Sequence, residues 1–169
     1  MAMEAETFEQ VVVAYGAKLR ARVARQNARF RFDEDEVMQE CLIRIWRACS
    51  SDREVDSPAA YAEQLVASVL IDLARKRAAQ RSEPLEDVHE APGLDPARSA
   101  EVAAQVAEVQ TLLQRLEDRR RRAAGLLLQG YAVPEIATRM ALTEGAARNL
   151  AYRGLNELRE RLGVGAAAG

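Results

Sequence analysis

Apolar positions recur at helical spacing through most of the chain, and the places where they stop divide it. Val37, Cys41 and Ile45 fall at i, i+4 and i+8 with Met38, Leu42 and Trp46 alongside, the wide stripe of an amphipathic helix over Asp33 to Ala48. A helix from Phe8 past Val23 precedes it. A third is expected from about Pro58 to Arg81, where Ser57 before Pro58 supplies an N-cap and first-turn pair, and the polar stretch Ser50 to Ser57 is the loop before it. The pattern then fails. Ser82 to about Ser99 holds three of the five prolines (Pro84, Pro92 and Pro96), Gly93 and most of the local acid, and reads as a flexible linker. Periodicity resumes with Val102, Val106, Val109, Leu113 and Leu116, crosses a basic junction from Arg119 to Arg122 and continues from Ala123 to Leu128.

The last periodic stretch, Tyr131 to Leu162, predicts two helices joined by a tight corner. Pro134 suits a first turn, where its missing N–H costs nothing, and Ile136, Ala137 and Met140 share one face of a helix that ends near Met140. Thr143 then caps a second helix on which Ala147, Leu150, Ala151, Leu155, Leu158 and Leu162 form an apolar stripe. Arg148, Asn149, Tyr152, Arg153 and Asn156 lie between the stripe positions. Arg pairs bidentately with guanine and Asn with adenine, so this is a helix-turn-helix whose second helix carries the side chains that major-groove reading uses.

Composition narrows the alternatives. An aromatic content of 5% and few turn residues over 169 positions disfavour an all-β fold, and all-α is the expected class. No run approaches the roughly 20 apolar residues that cross a bilayer, and MAMEAETFEQ lacks both parts of a signal peptide, so a cytoplasmic protein without membrane insertion is expected. Cys41 and Cys49, about 12 Å apart along a helix, are too distant to bridge and read as free thiols. One histidine, His89, and no close Cys pair give no basis for a structural zinc site, and no cofactor is expected.

Charge changes the picture more. The formal net charge is −2, although phosphate neutralisation needs a basic surface. The charge is segregated, however. Lys18, Arg20, Arg22, Arg25, Arg29 and Arg31 carry no acid among them, and Asp33 to Glu36 follow at once. Arg75, Lys76, Arg77 and Arg81 precede Glu83, Glu86, Asp87, Glu90 and Asp95. Separate positive and negative docking surfaces follow, the negative one for a protein partner.

Set side by side, these blocks resemble a known family. Asp33 through Arg47, with its acidic pair, apolar pair, Gln39-Glu40 and closing Trp46-Arg47, resembles the core-polymerase-binding helix of extracytoplasmic-function (ECF) sigma factors. Ser57-Pro58 through Arg77, with Asp72 before a basic cluster, is similar to that family's promoter-melting and minus-ten-reading helix. Leu112 through Leu162, with Tyr131 before the first short helix and Thr143-Glu144-Gly145 opening the second, resembles its minus-thirty-five-reading domain. The similarity runs from Phe8 to Leu162. Ser68 stands where the family usually has Asn, Tyr61 where it has Trp and Ala141 where Gly is common.

The resemblance implies two small helical domains, region 2-like over 1–81 and region 4-like over 100–169 with a frayed tail, joined by an acidic, Pro-containing linker over 82–99. It implies a promoter-specificity subunit of bacterial RNA polymerase that starts transcription of a specialised regulon, with no catalysis of its own. Asp35, Glu36, Met38, Gln39 and Glu40 are the expected polymerase contacts, on the coiled coil of the largest subunit, with the second domain on the flap of the other large subunit. Ser68, Asp72, Arg75, Lys76 and Arg77 are expected at the minus-ten and melting site, on single-stranded DNA. Thr143, Glu144, Arg148, Asn149, Tyr152 and Arg153 are expected on the double-stranded upstream element. An anti-sigma factor or other regulatory protein is a further implied partner. The reading from a different class is a stand-alone helix-turn-helix regulator that dimerises on an operator, with the Val102 to Leu116 stripe as its candidate interface.

Overall fold

Where the apolar stripes run, the backbone is helical. The computed structural model describes residues 5–50, 58–82 and 96–163, and its elements are seven α-helices: α1 (Ala5–Asn27), α2 (Glu34–Ser50), α3 (Pro58–Arg81), α4 (Pro96–Gln114), α5 (Asp118–Leu128), α6 (Val133–Met140) and α7 (Glu144–Leu162). No strand occurs among the described residues, and none of the described helices is long and apolar enough to cross a membrane. The polar loop over 51–57 and most of the expected linker, 83–95, lie outside the described residues.

The first three helices pack around Phe8, Val23, Val37, Trp46, Val66 and Leu70, all essentially inaccessible to solvent. Val37, Leu42 and Trp46 thus belong to the core, as large apolar residues on a stripe should. The turn from α1 to α2 is tied by Asn27, whose side-chain amide donates to the Phe32 carbonyl (2.7 Å) while its oxygen accepts from the Phe32 N–H (3.0 Å). Asp33 then accepts from the Glu36 N–H (3.1 Å) and satisfies one of the donors that the start of α2 leaves open. Cys41 is a buried free thiol, and desolvation pushes its pKa up to about 12, which makes it inert.

The second block differs from expectation at two boundaries. Helix α4 begins at Pro96, inside the stretch assigned to the linker. The four arginines from Arg119 to Arg122 are not a junction but the opening of α5, capped by Glu117, whose carboxylate accepts from the Arg119 and Arg120 N–H groups. The chain breaks instead at Arg115 to Glu117. Val106, Val109, Leu113 and Leu116 of α4 are buried within this chain, so the stripe that a dimeric regulator would have used is already covered.

Helices α5 and α7 approach closely at Gly154. A Cβ there would stand 2.8 Å from the Ala124 Cβ and 3.1 Å from the Arg120 carbonyl oxygen, neither of which can move alone. Gly154→Ala gains up to about 1 kcal/mol of helix propensity, but overpacking two helix backbones costs about 1–3 kcal/mol. The clash should win. A loss of about 1–2 kcal/mol in urea unfolding is expected, and an equally stable or more stable variant would contradict this packing.

The two blocks are not separate in this structure. Helix α2 packs on α4 and α5, α1 meets α7, and the buried residues of both blocks form one continuous cluster. Gly130, at φ 91° between α5 and α6, lies against α2, where a Cβ would reach within 2.8 Å of the Met38 methyl group.

Candidate nucleic-acid and partner interfaces

The corner of the helix-turn-helix is Ala141, in the left-handed region at φ 54°, ψ 49°. It is the position noted for lacking the family's Gly, and holding a Cβ there costs about 1–2 kcal/mol. Leu142 donates to the Ala137 carbonyl (2.9 Å) to close the end of α6. Thr143 caps α7 as expected, its hydroxyl accepting from the Ala146 N–H (3.2 Å). With Ala147, Ala151, Leu155 and Leu158 buried, α7 turns Glu144, Asn149 and Arg153 outward, all exposed.

Arg148 and Tyr152 are placed differently. Arg148 grips the carboxylate of Glu9 on α1 through Nε (3.2 Å) and Nη2 (3.1 Å), and the Tyr152 hydroxyl donates to the same carboxylate. Burial raises the Glu9 pKa, but the hydrogen bonds from Arg148 and Tyr152 and the Arg148 charge outweigh it and hold the carboxyl below its ordinary range. The Tyr152 hydroxyl is pushed up to about 12, first by burial and then by Glu9. Arg148 has no anion to seek beyond Glu9 in this arrangement. Nothing local in the sequence singles out Glu9, which lies 139 residues from Arg148.

On α3 the expected melting residues divide into two groups. Ser68 is buried, and its hydroxyl accepts from Arg44 Nη1 of α2 (3.5 Å). Asp72 accepts from Arg44 Nη2 (2.9 Å), and Glu40 stands 3.6 Å from the same nitrogen. Ser68 and Asp72 therefore join α2 to α3 here rather than face DNA. Arg77 is also engaged internally. It donates to the Phe30 carbonyl (3.0 Å) and its guanidinium sits 3.7 Å from the centroid of the Phe32 ring. Lys76 is exposed and Arg75 half-buried, which leaves the α3 end of this set basic and accessible at Lys76.

The expected polymerase residues lie along α2. Glu36 is exposed and Gln39 half-buried, as a docking helix requires. Met38 and Glu40 are not available on that surface. Met38 is fully buried under Gly130 of the second block, and Glu40 is buried beside Arg44, with desolvation raising its pKa. Asp35 is half-buried in a cluster that crosses the two blocks. Its carboxylate accepts from the Tyr131 hydroxyl (2.9 and 3.0 Å) and from Arg20 Nη1 (3.1 Å). Arg20 also donates to the Gln129 carbonyl (2.9 Å), and the Arg20 and Arg139 guanidinium groups lie 5.0 and 4.1 Å from the Tyr131 ring centroid. Sequence reasoning missed Arg20, Arg44 and Tyr131, because each acquires its role from a partner far along the chain.

Comparison with known proteins gives relatives of one kind. The chain is similar to the ECF RNA polymerase sigma factor SigM of Mycobacterium tuberculosis, in strains Erdman and H37Rv alike, with 26% identity over 142 residues, 84% of this chain and 70% of that protein. It is also similar to the ECF RNA polymerase sigma factor SigF of Caulobacter vibrioides, with 29% identity over 156 residues, 92% of this chain and 85% of that protein. No protein-family model and no solved structure matches the chain.

Proposed function

We propose that this member of the extracytoplasmic-function sigma factor family acts as a promoter-specificity subunit that reads an upstream element with α7 and an opening downstream element with the end of α3. The observation that carries this reading is the helix-turn-helix of α6 and α7, with Thr143 capping a helix that presents Asn149 and Arg153 to solvent. That helix is placed as a recognition helix must be, since its first turns are the part that reaches base edges. Arg148 and Tyr152 belong to the same face once Glu9 lets them go. The start of α2, with exposed Glu36 and half-buried Gln39, is the polymerase side. Core polymerase and promoter DNA, first double-stranded and then melted, are the partners. An anti-sigma factor is a further proposed partner, acting by covering one of these faces.

The two DNA-facing sets have different tasks and should fail differently. Losing a base contact in α7 should cost about 1–3 kcal/mol at one or two positions of the element, and losing a phosphate contact should weaken all promoters alike. Neutralising Arg75 and Lys76 should reduce open-complex formation and be partly rescued by a pre-melted template, which removes the unstacking cost of a few kcal/mol in advance. Substitutions of Asn149 and Arg153 should gain nothing from pre-melting, because the duplex they meet stays closed. Run-off transcription with core polymerase on genomic fragments supplies the template, and permanganate footprinting on matched closed and bubble versions supplies the comparison. Equal rescue of both sets would refute the division, and no association with core polymerase would refute the function.

A further inference from the structure

The proposed DNA-reading residues and the proposed polymerase residues are turned toward one another across the two blocks. On one side, the Glu9 carboxylate is held in the Nε and Nη2 fork of Arg148 and by the Tyr152 hydroxyl, a charge-assisted bidentate arrangement of the kind arginine makes with phosphate. The Glu9 side chain is 15% exposed, so this is no loose surface pair. On the other side, Asp35 is taken up by Tyr131 and Arg20, and Met38 is covered at Gly130. The two contacts involve different helices, α1 with α7 and α2 with the α5–α6 turn, and both exist only while the blocks are together.

We propose that the free protein is closed on itself, with Glu9 occupying on α7 the place of a DNA phosphate and the α5–α6 turn occupying on α2 part of the polymerase-facing surface. This rests on the reading given under Proposed function. Upstream DNA must displace Glu9 from Arg148 and Tyr152 before it can use them. Core polymerase must displace Tyr131 and Gly130 to reach Asp35 and Met38. Polymerase binding on α2 therefore pulls the second block away and, in the same movement, frees α7 to read DNA. The apparent affinity of the free protein for duplex is its open-state affinity reduced by the fraction of molecules that are open. The small net charge of −2 acts in the same direction, since a free chain without a large basic surface has little non-specific hold on DNA.

The test uses the full chain and a 30-base-pair duplex of random sequence as the probe, at about 100 mM salt, where a few phosphate contacts still register. Glu9→Gln keeps the side chain's size and removes its charge. It should bind this duplex about tenfold more tightly than the wild type, and small-angle scattering should show a larger radius of gyration. Glu108→Gln makes the same change in net charge at an exposed position of α4 and should do neither. If the Asp35 cluster alone keeps the blocks together, Glu9→Gln combined with Tyr131→Phe removes both links, and that double variant should show both effects. Should the double variant show neither tighter binding nor expansion, the closure proposed here is wrong.

Run-off transcription separates this inference from the functional reading. Glu9→Gln with core polymerase should transcribe as well as the wild type, because Glu9 is already parted from α7 in that complex. A variant that binds polymerase yet fails to transcribe would give Glu9 a direct role in initiation and overturn its role as a competitor. Failure of the wild type itself to bind polymerase would sink the functional reading, and the duplex and scattering measurements would still decide whether the chain closes.

Discussion

Arg44→Ala should lose about 3–5 kcal/mol of stability, the cost of removing one partner from a buried charge cluster and leaving the rest uncompensated. Arg44 is 4% exposed, and its guanidinium serves Asp72 (2.9 Å), Glu40 (3.6 Å) and the Ser68 hydroxyl (3.5 Å) at once. Without it, two carboxylates face each other between α2 and α3 with no cation between them. Against a total stability of about 5–15 kcal/mol, that loss populates unfolded chains. Its pH dependence has a definite sign. Burial raises the Glu40 pKa even with Arg44 present, and removing Arg44 raises it further. A raised carboxyl pKa favours the fold below the unfolded pKa, and the benefit is lost as pH rises through the folded value. The deficit of the variant should therefore be larger at pH 8 than at pH 5 in urea unfolding. A deficit that is constant with pH would show that the ionised carboxylates are not its cause. Arg44→Lys should rescue little, since a compact ammonium cannot span three acceptors as the planar fork does. Arg44→Met with Asp72→Asn should recover part of the loss by removing one of the stranded charges.

That cluster also shows where sequence reading stops. Elements set by local chemistry were legible: Pro58 and Arg81 bound α3 as the pattern predicts, and Thr143 caps α7 through a bond to a residue three positions on. The all-helical class followed from apolar periodicity for the same reason. The opening of α5 was misread because four consecutive arginines hide the period, and the signal that would have found it is Glu117 just before them, a carboxylate able to accept from the first free N–H groups. Ser68, Asp72, Met38 and Glu40 were assigned to surfaces because their types suit DNA or protein contact, but their surroundings come from distant parts of the chain. Arg44 is 28 residues from Asp72, and Tyr131 is 96 residues from Asp35. No window of local pattern contains such pairs. The candidate DNA face was legible as a list of residues on α7, whereas the engagement of half of its cationic and phenolic groups by α1 was not.

The same cross-block contacts change how the polymerase anchor must be tested. Replacing Asp35 along with its neighbours would disturb Arg20 and Tyr131 as well, and an altered affinity would then mix lost contacts with an opened chain. Glu36 and Gln39 are the cleaner pair, exposed and half-buried, neither side chain holding the second block in place. Glu36→Ala with Gln39→Ala should weaken binding to core polymerase on the order of a hundredfold, the size expected when residues at the centre of a docking helix are truncated. Thermal unfolding should shift little. Exposed substitutions usually change stability by under about 0.5 kcal/mol, and the lost acid in the first turn of α2 adds only a few tenths. Duplex binding by the free chain should be unchanged, because the links at Glu9 and Asp35 remain. A folded double variant that binds polymerase as the wild type does would move the anchor elsewhere on the first block. One that binds duplex more tightly would instead tie Glu36 or Gln39 to the closed form, and the polymerase contact would then have to be sought on a surface that the second block leaves open.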